Sequence, residues 1–157
     1  MIETLNFHQV NNVIESWMQL QAVPKYSEQA GVILFRKLFK ICPAVLPIFS
    51  FGKDTVVDDE FLKSPRFRTH ANVLLRTFSG TVDMLGPNLE DMRDTLVALG
   101  RKHKRYGVNK EYFEYMGIAL LETVQELLTE SFTAEQKLCW EQCWEVMINM
   151  MVEGLED

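Results

Sequence analysis

From residue 7 to residue 153 the apolar side chains of this chain recur at steps of three and four. Nowhere do they alternate with polar residues over strand length between turn residues. That period confines the chain to helices, because only a turn of about 3.6 residues brings such positions onto one face. Turn residues cut the pattern into lengths. The spacing predicts a helix over 7–21, with Val10, Val13, Ile14 and Trp17 on one face, and a second over 28–41, with Val32, Phe35, Leu38 and Phe39 inward. Pro43 opens a short turn that ends in the irregular "IFSFGKD", and "DDEFLKS" makes one weak turn. Ser64 as N-cap with Pro65 at the first helical position starts a helix over 65–84. Asn88 caps the next, which ends at Gly107, and Asn109 caps a long one to about 129. Thr133 and Gln136 form a capping box for the last, to about 153. The five prolines (Pro24, Pro43, Pro47, Pro65 and Pro87) all fall near these edges, where a missing N–H costs least. The expectation is an all-α chain of seven or eight helices. With no repeat, low-complexity tract or linker, it is read as one domain over 1–157.

Charge narrows the function. The formal net charge is −6, which disfavours nucleic acid as a partner despite the cluster Arg101, Lys102, Lys104 and Arg105. No run approaches the ~20 apolar residues of a membrane span. Glu3, Asn6, His8, Asn11, Asn12 and Glu15 interrupt any signal-peptide core, and Ile2 stands where myristoylation needs glycine. The three cysteines, Cys42, Cys139 and Cys143, have no disulfide-framework spacing. They read as reduced thiols of a cytoplasmic protein, with Cys139 and Cys143 as packing residues one helical turn apart.

Two histidines stand out. In "FRTHANVLLRTF" the residues Phe67, His70, Leu74 and Phe78 share one helical face. In "LVALGRKHKRYG" the residues Leu96, Leu99 and His103 do the same, with the cations beside or behind them. Both imidazoles are therefore expected to point inward. A single histidine on an apolar face is more often a core residue satisfied by a hydrogen bond. Two on separate helices, among three in the chain, favour a shared partner. A structural zinc site wants four ligands, usually thiolates at short spacing, and none is present. A planar iron cofactor needs one or two axial imidazoles and a wide apolar slot. Phe35, Phe49, Phe51, Phe113, Met116 and Leu120 supply bulky apolar residues for such a slot.

With these residues in place the chain resembles the globins, and is most similar to their neuroglobin-type, hexacoordinate members. Pro43 and Phe49 in "CP-x-x-x-x-x-F" match the proline of the short third helix and the phenylalanine that stacks on haem. His70 and His103 match the distal and proximal histidines, and Trp17 the tryptophan of the first helix. "LVALGRKHKRYGV" is similar to the neuroglobin stretch "LASLGRKHxxxGV", and "FTAEQKLCW" to the start of the neuroglobin last helix. The likeness runs over about 6–153.

The resemblance implies a globin fold, a three-over-three helical sandwich around haem b (iron protoporphyrin IX). It implies His103 as proximal iron ligand and His70 as distal ligand or stabiliser of bound gas. Phe35 and Leu74 would flank the ligand and Phe49 would stack on the porphyrin. Leu99, Val108, Phe113 and Met116 would line the proximal side and floor. Ala71, Asn72 and Val73 depart from the basic residues neuroglobins place near a haem propionate, which leaves Lys102 as the candidate anchor. The expected ligands are dioxygen, carbon monoxide and nitric oxide, bound by a monomer or weak homodimer. Redox chemistry on nitric oxide or nitrite with an external redox partner protein, and gas or redox sensing, stay open beside oxygen binding.

Overall fold

The computed structural model of the chain describes residues 4–49, 56–86 and 88–157. Most of the expected loop after Phe49, with Phe51 in it, and Pro87 lie outside the described residues. The described residues form seven α-helices: α1 (Phe7–Gln21), α2 (Tyr26–Ile41), α3 (Asp59–Lys63), α4 (Pro65–Asp83), α5 (Glu90–Arg105), α6 (Lys110–Leu128) and α7 (Ala134–Glu156). Two 3₁₀ segments, Pro43–Ile48 and Thr129–Ser131, connect them. One layer holds α1, α4 and α5, and the other holds α2, α6 and α7. Across the layers α5 and α1 pack on α7, and α4 packs on α2. This is the expected three-over-three arrangement.

Helix ends follow the capping chemistry with local differences. Thr133 and Gln136 form the predicted capping box, and Asn6 with Gln9 forms another at α1. Ser64 caps α4 through its side chain. The helix expected from Asn88 starts later, at Glu90: Asn88 Oδ1 accepts from the Glu90 N–H at 3.0 Å and caps from outside the helix. Asn109 holds the N-cap backbone position of α6, but its side chain makes no cap bond. α2 begins earlier than the spacing suggests, after Lys25 turns the chain in the left-handed region at φ 54°. α5 stops at Arg105, and Gly107 at φ 78° reverses the chain, a conformation that glycine adopts without Cβ strain.

Trp17, Trp140, Phe35 and Phe67 are among the largest fully buried side chains. The two tryptophan rings lie 5.8 Å apart. The fully buried Ser16 donates to the Asn12 or Val13 carbonyl, each 2.9 Å away, and accepts from Trp140 Nε1 at 2.7 Å. Ser16→Ala strands the indole N–H in the core, which costs ~1–3 kcal/mol. The expected result is a melting point lower by ~2–4 °C for each kcal/mol lost. An unchanged melting point in a thermal scan would show that the N–H finds another acceptor.

Helices also meet by backbone contact. Gly31 of α2 lies against Ala71 of α4 so closely that a Cβ on the glycine would stand 2.8 Å from the alanine Cβ. Gly100 of α5 and Gly154 of α7 mark a second crossing. A Cβ on Gly100 would run into the Met151 carbonyl, and one on Gly154 into the Val97 carbonyl. Contact with Gly154 keeps α7 helical to Glu156, beyond the expected end at about 153. Ion pairs Arg93–Glu153 at 2.6 Å and Arg101–Asp157 at 2.5 Å tie the same two helices together.

Candidate functional site

The crossings decide where the two histidines sit. Because Ala71 is pressed against α2, the buried stripe of α4 runs through Phe67, Ala71, Leu75 and Val82. His70, Leu74 and Phe78, expected at the centre of the core face, lie at its half-buried edge. On α5 the close contact at Gly100 puts Met92, Leu96, Val97 and Gly100 in the buried stripe. Leu99 and His103 again fall on a half-buried edge. α4 and α5 do not pack closely on one another. They flank a cleft of about 580 Å³ lined by Thr77 and Thr81 from α4 and by Asp94, Leu99 and Lys102 from α5. Each of these two helices carries one imidazole at a stripe edge, but neither His70 nor His103 lines this cleft, and of the expected slot residues only Leu99 and Lys102 do.

The α5 imidazole is held in one tautomer. His103 Nδ1 lies 2.8 Å from the Leu99 carbonyl one turn earlier, so Nδ1 carries the proton and donates. That leaves Nε2 with its lone pair. The Phe113 ring meets His103 edge-on at 5.3 Å, and Tyr106, one turn onward, does so at 5.6 Å. On the other helix His70 is crowded by Phe49 at 5.0 Å and Phe35 at 5.7 Å between ring centroids. Phe35 is fully buried and meets Phe49 edge-to-face at 5.5 Å. Val108 and Met116 are half-buried against the core, and the Val108 N–H bonds the His103 carbonyl at 3.3 Å. Leu120 lies deeper, fully buried. Lys102 is exposed at the cleft.

Burial holds both imidazoles below the ordinary histidine value of 6.5; for His103 the Leu99 hydrogen bond works weakly the other way. Both are thus neutral near pH 7 and able to act as nitrogen donors. The sign of the linked stability follows. As pH falls below 6.5 the unfolded chain takes up these protons before the folded one does, so stability present above 6.5 is lost on acidification. We expect the urea midpoint of the apoprotein to drop as the pH falls below 6.5, and to drop less in His70→Gln. A midpoint that is flat over this fall, or equally steep in the variant, would contradict it.

Sequence reasoning did not pick out several neighbours of the site. Tyr106 stands three residues after His103, a spacing that places it on the same helical side. Gly154 was legible only as an isolated glycine in a helical pattern, the usual mark of a close backbone approach. Trp144 left no local sign. Its indole donates to the Phe113 carbonyl at 3.0 Å and meets Phe78 of α4 at 5.8 Å, contacts made across sequence separations that periodicity does not register.

Each of two helices thus carries one neutral imidazole at a half-buried edge, crowded by aromatic rings. The donor set fits iron porphyrin in its unprotonated imidazole nitrogens and the aromatic rings beside them, whereas the cation Lys102 stands at the α4–α5 cleft, which those rings do not line. The Globin family model matches residues 32–151. Neuroglobin of Danio rerio is 30% identical over 140 residues, covering 89% of this chain and 86% of that protein. The anaerobic nitrite reductase HBII of Casuarina glauca is 32% identical over 138 residues, covering 87% and 83%. Neuroglobin-1 of Oncorhynchus mykiss is 32% identical over 124 residues, covering 79% and 77%. The chain belongs to the globin family, and it is a haem globin of neuroglobin-like type. Among the described residues no helix is long and apolar enough to cross a membrane.

Proposed function

We propose that residues 1–157 form one globin domain that holds haem b non-covalently and binds dioxygen, carbon monoxide and nitric oxide reversibly. His103 is its proximal iron ligand, and His70 is the sixth ligand when no gas is bound. One observation carries the reading: the 2.8 Å bond from His103 Nδ1 to the Leu99 carbonyl, which leaves Nε2 as the donor and fixes the ring's plane. Haem, when bound, supplies a ferrous iron that takes up diatomic gases.

The chain's residues do the rest. Phe113 and Tyr106 keep the His103 ring from turning. Phe35, Phe49 and Leu74 exclude water from the His70 side, and Leu99, Val108 and Met116 do so on the other. Lys102 at the cleft would pair with a propionate. His70 would hold the iron through Nε2, or would offer its N–H to a polarised diatomic ligand. The absence of a C-x-x-C-H motif supports non-covalent attachment, and three buried free thiols suit a reducing cytoplasm. Absorption spectra of the ferric, ferrous and carbon monoxide-treated protein test the whole reading. A six-coordinate ferrous spectrum that converts with gas is the expected result. A protein purified from haem-replete cells without a Soret band would overturn haem binding.

The similarity to a protein named as a nitrite reductase favours a second reading. Reduction of nitrite to nitric oxide and water takes one electron and two protons. The electron would come from an external donor, and His70 is the titratable group at hand for a proton. Anaerobic nitrite consumption by the ferrous protein, slowed in His70→Leu, is the result that would favour it over gas binding alone.

A further inference from the structure

We propose that the groove between α6 and α7 is a docking surface for a protein partner presenting a cationic amphipathic helix, and that Trp144 couples this surface to His103. The groove has a volume of about 750 Å³. Its floor is apolar: Ile118, 48% exposed, with Leu121, Trp144 and Ile148 beside it. Its rim is acidic. Of the lysines lining it, Lys37 already pairs with Glu126 at 3.3 Å and Lys110 with Glu114 at 3.9 Å. Lys137 remains against the exposed Glu122, Glu141 and Glu145.

An apolar floor between two helices with a rim of excess negative charge is the complement of a helix with one apolar face and basic flanks. The same charges argue against a second copy of this chain. A two-fold pairing sets a patch against itself, so these glutamates would face their own kind in a chain of net charge −6. Opposed like charges suppress such a pairing. Anionic membranes and nucleic acids are disfavoured for the same reason.

The floor is joined to the site. Gly117 leaves the space into which the Trp144 indole fits, since a Cβ there would run into Nε1. The indole N–H then holds the Phe113 carbonyl at 3.0 Å, and the Phe113 ring abuts His103 at 5.3 Å. A helix pressed onto Trp144 therefore bears on the residue that braces the imidazole. The docking part stands on the groove alone, whereas the coupling part rests on His103 as the iron ligand.

The probe is a labelled synthetic helix of leucine and lysine with one apolar face, titrated against the holoprotein by fluorescence anisotropy. Two peptides serve as controls: a scramble of the same composition without an apolar face, and a leucine–glutamate analogue. The amphipathic cationic peptide should bind more tightly than either, with affinity falling as salt rises. Reversing Glu122, Glu141 and Glu145 to lysine, all exposed and outside the haem side, should weaken it by ~10-fold or more. Equal binding of the scramble, or no loss on charge reversal, would overturn the docking surface. So would self-association of the wild type by ultracentrifugation that the reversal alters, since the groove would then belong to a second copy. Coupling is read separately in the His70→Leu holoprotein, whose ferrous iron would be five-coordinate, as a peptide-induced shift of the ferrous iron–histidine stretching band that Trp144→Phe removes. Peptide binding with no such shift overturns the coupling and leaves the docking surface standing. If His103 is not the iron ligand, the band is absent even in His70→Leu, while the anisotropy result is untouched.

Discussion

His103→Ala, expressed with haem available, should come off purification with most of its haem missing and with the Soret-to-protein absorbance ratio collapsed. Loss of a hydrogen-bond partner behind a metal ligand costs a site ~10–100-fold in affinity, and here the ligand itself is removed. The Leu99 carbonyl then loses its donor as well. Stability should follow occupancy. A group that binds only the folded chain stabilises it by ~4 kcal/mol when present at a thousandfold its dissociation constant. The variant should therefore melt near the wild-type apoprotein, well below the holoprotein. Added free imidazole, small enough for the space the ring leaves beside Phe113, should restore part of the haem band. Wild-type occupancy and spectrum in the variant would remove His103 from the iron.

Replacing His70 with Leu should act in the opposite sense on gas binding. If the imidazole holds the sixth position at rest, an incoming gas binds only the fraction of molecules from which His70 has left. The apparent affinity is reduced by that fraction. For a resting state that is ~99% closed the variant should bind carbon monoxide ~100-fold more tightly, and its rate should stay linear in gas concentration where the wild type saturates. The oxygen complex should oxidise faster, because the side chain that donates to the ligand is gone, a loss of ~1 kcal/mol or more. Thr69→Ala, at an exposed position one residue away, should change neither. Linear carbon monoxide kinetics in the wild type, unchanged in His70→Leu, would leave an ordinary open-site globin.

Much of this molecule was legible one helix at a time. The steps of three and four, the Ser64–Pro65 start and the Thr133–Gln136 box are short-range properties, and the helices they predict differ from the observed ones by a few residues. The inward bias of His70 and His103 belongs to the same class, since it follows from their own helices' periods. So does the hydrogen bond from His103 to Leu99, because position i−4 on a helix is always within reach.

Periodicity did not decide how far inward each imidazole goes. It placed His70 and His103 with the core residues, whereas both sit at half-buried edges. The rotation of α4 and α5 about their axes is set by where backbones touch: at Gly31 and Ala71, and at Gly100, Met151 and Gly154. Trp144 under Phe113, and Ser16 under Trp140, likewise belong to pairs far apart in the chain. The amino-acid sequence by itself determined which residues share a helical face, because that depends on neighbours within a turn or two. Only the tertiary structure decided which part of each face is covered and which part is left at the cleft, because closest approach between helices depends on the volume of side chains that meet from distant segments.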